Sequence, residues 1–107
     1  MCQFNRKKIA AKVKNFYQLP VKDEELLTRI LTRHVCTISI DATGRGFGFY
    51  AGGIYDGMYD GNVECSTDLH EANHVVTLVG YTMDSYYLRN SWDNTWGNNG
   101  YMDIARK

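Results

Sequence analysis

Only one segment of this chain carries a helical period, and almost everything after it falls into short alternating runs broken by glycine. The helical segment opens at Asp23, a residue type that caps helix N-termini, with Glu24 and Glu25 placed to complement the helix dipole. Leu26, Leu27, Ile30 and Leu31 then recur on one face, which predicts a short amphipathic helix running to about Arg33. Beyond it, Cys36, Ile38 and Ile40 alternate with Thr37, Ser39 and Asp41, the period of a strand. Residues 75–79 are β-branched and predict a buried strand, with 86–89 as its partner and 101–104 as a last short strand. Seven glycines fall among aromatic residues between Gly44 and Gly61, so that stretch is predicted as loop or very short helix. Ahead of the helix, residues 9–14 alternate apolar and polar and read as a half-buried strand closed by Leu19 and Pro20. One helix followed by several short antiparallel strands defines an α+β class, mainly β.

A chain of 107 residues is one domain of ordinary size, and 44% apolar with 22% charged residues is a composition that can bury a core. Twelve basic residues balance twelve acidic ones, which gives no electrostatic pull toward nucleic acid or an anionic membrane. Neither is expected as a partner. No apolar run approaches the roughly 20 residues of a membrane span. The first eight residues lack the apolar stretch of a secretory leader, so the chain taken literally is expected in the cytosol. Three cysteines, Cys2, Cys36 and Cys65, leave at least one without a partner inside the chain.

Two constellations bear on chemistry. The first, His70-Glu71-Ala72-Asn73-His74, spells the H-E-x-x-H zinc signature. That signature works only on a helix, where residues four apart present both imidazoles to one metal. Here it runs directly into β-forming Val75-Val76-Thr77, and the third ligand of the extended motif is missing. No metal is expected.

The second is longer. Asn73-His74-Val75-Val76-Thr77-Leu78-Val79-Gly80-Tyr81 is followed by Arg89-Asn90-Ser91-Trp92-Asp93-Asn94-Thr95-Trp96-Gly97-Asn98-Asn99-Gly100-Tyr101. These blocks resemble the two C-terminal signatures of papain-like cysteine proteases, nearest to the cathepsin L type. Further similarity runs through Cys2-Gln3-Phe4-Asn5, Ser39-Ile40-Asp41-Ala42 and Phe49-Tyr50-Ala51-Gly52-Gly53-Ile54-Tyr55, in the same order. The resemblance implies a right-hand, antiparallel β-barrel-like domain with one short helix. It makes residues 1–107 the C-terminal half of a peptidase domain. It implies that His74 is the catalytic general base and Asn90 the carboxamide that orients it, with Trp92 covering their bond and lining the leaving-group side. Ser39, Ala72 and Val75 fall where the family lines the pocket for the substrate side chain two residues before the scissile bond. The resemblance implies peptide or protein substrates, no cofactor, and a lysosomal or secreted setting.

An imidazole is the side chain best matched to proton transfer near neutral pH, and a carboxamide can fix its tautomer without adding charge. A histidine at the start of a strand is more often structural, and an Asn-Ser-Trp turn can be only a turn. Taken together and in this order, the blocks favour the catalytic assignment. The nucleophile is another matter. Its signature, Cys-Gly-Ser/Ala-Cys-Trp/Tyr, belongs some 130–150 residues before the histidine, and none of the three cysteines has such neighbours. By resemblance Cys2 and Cys65 are half-cystines with partners elsewhere, and Cys36 stands at an apolar strand position. The expectation is a protease half that is inactive alone and completed by a missing N-terminal domain or a parent chain. The alternative is a non-catalytic homologue that binds a partner through its inter-domain face, or an incomplete product with no role of its own.

Overall fold

A computed structural model describes residues 1–106. Helix α1 spans Glu24–Leu31, and the Asp23 side chain caps it by accepting from the Leu26 amide at 2.9 Å. Its first-turn carboxylates and the Asp23 cap satisfy the positive helix end, as the sequence predicts. The Arg29–Glu25 ion pair on its outer face is exposed and adds little.

Strand β1 (Cys36–Ile40) follows, then a one-turn helix α2 (Arg45–Gly48). Three two-residue strands come next: β2 (Ile54–Tyr55), β3 (Met58–Tyr59) and β4 (Asn62–Val63). The chain closes with β5 (His74–Tyr81), β6 (Ser85–Arg89) and β7 (Tyr101–Ala105). Five strands form one sheet in the order β1-β5-β6-β7-β2, antiparallel except for the β2–β7 pair. Strands β3 and β4 make a separate small hairpin. The α+β, mainly β class is therefore the one adopted. It carries a second, one-turn helix and one parallel pair that periodicity did not predict, because a strand of two residues has no period to read.

The register explains the core. Leu78 pairs with Leu88, and Leu88 with Met102, so one row of side chains crosses three strands on the same face. All three are at most 1% exposed. Helix α1 packs on this side against β1 and β5 and contributes Leu31, while α2 contributes Phe47. On the opposite face Tyr87 and Tyr101 stack at 5.1 Å, with the Arg89 guanidinium above Tyr101.

Two sequence expectations need correction. Residues 75–79 are not buried throughout: Val76 and Leu78 are, whereas Val75 is 55% exposed. An antiparallel sheet needs only one covered face, and apolar content alone does not reveal which. Residues 9–14 form no strand. From residue 9 to the start of α1 there is no regular structure, and Val13, Phe16 and Tyr17 are exposed. Alternation decides which side chains share a face, but a strand exists only where a second edge accepts its hydrogen bonds.

Candidate active site

His74 is the first residue of β5 and lies opposite Ile40 of β1. Asn90 follows the last residue of β6, where its amide donates to the Gly100 carbonyl at 2.9 Å. Because β5 and β6 are adjacent, these two ends bring the side chains together, with His74 Nε2 2.7 Å from Asn90 Oδ1. Asn90 is buried, and its Oδ1 also accepts from the Ser91 amide at 2.7 Å.

That second bond decides the chemistry of the first. The Ser91 N–H can only donate, so the atom facing it is the carboxamide oxygen. Turning the amide over would set two donors against each other. An oxygen at that position requires the imidazole to carry its proton on Nε2. Nδ1 is then left as the atom able to take a proton, and no hydrogen bond from the described residues engages it. Asn90 Nδ2 is buried without a partner, an unmet donor worth about 1–3 kcal/mol, which the amide bears in exchange for two short bonds at its oxygen.

Aromatic rings enclose this pair. The Trp92 ring lies 4.9 Å from that of His74 at an interplanar angle of 32°. Phe47 meets both edge-on, at 6.1 Å from His74 and 5.4 Å from Trp92. Trp96 supports the cluster from behind, its indole N–H donating to the carbonyls of Phe47 (3.2 Å) and Gly48 (3.1 Å). Trp92 itself remains 40% exposed, so one side of the arrangement opens to solvent. Phe47 escapes sequence reasoning, lying in the glycine-rich stretch where no period marks its inward direction. The Ser91 amide, a backbone group, leaves no compositional signal at all.

Ser39 and Val75 are register partners on β1 and β5, and directly opposite residues share a face. Both are exposed, while Ala72 is half-buried in the turn leading to His74. The three border an open surface, not an enclosed pocket. One concavity runs along Phe49, Tyr50, Ile54 and Met58, and another along Arg89, Asn90, Ser91, Asp93 and Asn99, so the second borders the carboxamide of the pair.

The zinc geometry fails on its own requirement. His70 sits in a 3-10 turn, Leu69–Glu71, whereas His74 begins a strand, so the two never share a helical face. Among the described residues no group of three His, Cys, Asp or Glu side chains is placed to hold a metal ion. Nor does any of the three cysteine sulfurs hydrogen-bond His74. Burial pushes the Cys36 thiol up, and burial followed by the Asp41 charge does the same to Cys65, which disfavours a thiolate at either.

A half-buried imidazole held by a carboxamide beside an indole is an arrangement suited to proton transfer. Residues 1–107 match the family described as papain family cysteine protease, and the chain belongs to that family. A cathepsin L-like protein of Caenorhabditis elegans is 40% identical over 111 residues, covering 98% of this chain and 31% of its own length. Cathepsin K of Mus musculus is 37% identical over 110 residues, with the same coverage of 98% and 31%. Among solved structures, the Carica candamarcensis cysteine protease in complex with E-64 superposes with a TM-score of 0.65 at 30% identity. That match covers 79% of this chain and 36% of the other. The chain thus spans about a third of the length of the curated relatives it matches.

Proposed function

We propose that this chain supplies the proton-transfer half of a cysteine endopeptidase site, with His74 as general base, Asn90 as its orienting group, and the nucleophilic thiol from outside these residues. The single observation that carries the reading is the bond from His74 Nε2–H to an Asn90 oxygen whose identity the Ser91 amide fixes. With Nε2 committed, Nδ1 takes the thiol proton, and the thiolate adds to the substrate carbonyl carbon. The imidazolium then returns that proton to the departing amine as the C–N bond breaks. Water hydrolyses the thioester, with Nδ1 accepting and returning a proton once more. Trp92 shields the imidazole–carboxamide bond from water, which strengthens it. Ser39, Ala72 and Val75 form one wall for an apolar substrate side chain two residues before the scissile bond, the opposite wall belonging to the N-terminal half of the domain.

Alone, the chain is expected to be inactive on peptides. The test is to assay it by itself and after reconstitution with a papain-type N-terminal half carrying the cysteine, using a peptide apolar at that second position. Activity that appears on reconstitution and disappears in His74→Ala supports the reading; none in either preparation sinks it.

A second reading, a non-catalytic domain that binds a partner protein, is favoured by the exposed apolar side chains of Val13, Phe16, Tyr17 and Phe49. Recovery of no stoichiometric partner from the native source would argue against it.

A further inference from the structure

We propose that Asp41 is a positioning residue for His74, acting through Asn73 to fix where strand β5 begins. The inference rests on the reading of His74 as general base, but its geometry can be tested without proteolysis. Asp41 follows directly after β1. Its Oδ1 accepts from the Thr43 amide (3.0 Å), the Thr43 hydroxyl (2.7 Å) and the Asn73 carboxamide (3.1 Å). Its Oδ2 accepts from the Ser66 amide at 2.9 Å. One carboxylate thereby ties together the exit of β1, the segment after β4, and the approach to β5.

Asn73 is committed at every polar atom of its side chain. Nδ2 donates to Asp41 and also to the Glu71 carbonyl at 2.9 Å, while Oδ1 accepts from the Ala42 amide at 3.1 Å. Its backbone amide donates to Ile40 at 3.0 Å, and Ile40 is the register partner of His74. The residue before the imidazole is therefore held from four directions. A slip of one position would carry the imidazole to the opposite face of the sheet, away from Asn90.

A carboxylate suits this place because all four groups it meets are donors. Asparagine would offer one oxygen and one amino group, and either orientation sets that amino group against at least one N–H. Bonds to a charged acceptor are also stronger than neutral ones. The same hydrogen bonds, the Thr43 hydroxyl first, hold the Asp41 carboxyl well below the usual carboxylate range.

The test follows the His74 ring Nε2–H by NMR in the 107-residue chain, with the methyl resonances of Leu88 and Met102 reporting on the core. Asp41→Asn and Asn73→Ala are each expected to make that proton exchange about tenfold faster, the factor for one lost hydrogen bond, with core resonances unmoved. Should Asp41→Asn not fold, Asn73→Ala decides alone, since it leaves the Thr43 and Ser66 bonds in place. Unchanged exchange in the folded variants, or exchange that rises only in step with loss of the core resonances, overturns the proposal. A chain that passes here and fails the peptidase assay loses only the general-base reading.

Discussion

At the scale of single residues, Asn90 shows how a site accepts a local deficit for a fixed orientation. Its oxygen takes two donors at 2.7 Å while its amino group finds none. Asn90→Ala deletes both at once. The loss of two bonds, each about 0.5–1.5 kcal/mol, is offset by relief of the buried unmet donor. Stability in a denaturant titration is therefore expected to change by no more than about 1 kcal/mol. The His74 ring proton, by contrast, should lose its protection in the same variant. A large drop in stability with the ring proton still protected would mean that Asn90 is a core residue first and an orienting group second. Sequence names both partners of this bond through their signature blocks. It could not supply the tautomer, because that depends on the Ser91 backbone N–H, which any residue but proline would have at that position.

The next scale is the sheet. Its two faces differ sharply in what they bury, and β5 shows both: Leu78 is 1% exposed and its strand-mate Val75 is 55% exposed. Leu88, fully buried between Leu78 and Met102, has no room to relax. Leu88→Ala is expected to cost about 2–5 kcal/mol in a denaturant melt, through lost contacts and the cavity left behind. Val75→Ala, on the open face, should stay within about 0.5 kcal/mol, and under the proposed function its effect is expected on substrate binding instead. Comparable losses at both positions would mean that the open face is covered. Helix α1, β1, β6 and β7 were legible because each keeps its own period and, for the helix, its own cap at Asp23. Strand β2 was not, since its pairing with β7 is set by the neighbouring strand. The alternation at 9–14 misled for the complementary reason: it has the period without the partner.

For the molecule as a whole, the first twenty residues stand apart from the core. They pair with no strand and contribute nothing to the buried cluster. Deleting residues 1–20 is therefore expected to change the stability of the remainder by no more than about 0.5 kcal/mol, measured by thermal or denaturant unfolding. A loss of several kcal/mol would place that segment in the fold.

Sequence alone determined the α+β class, the helix and its cap, the main strands, and the imidazole, carboxamide and indole that the site presents. These are written in local periods and in contiguous blocks, which need no knowledge of distant residues. Tertiary structure decided the rest. It joined His74 to Asn90 across two strands. It also gathered Thr43, Ser66 and Asn73 around Asp41. Each of these depends on register, the one quantity that a run of alternating residues leaves free until a neighbouring strand fixes it.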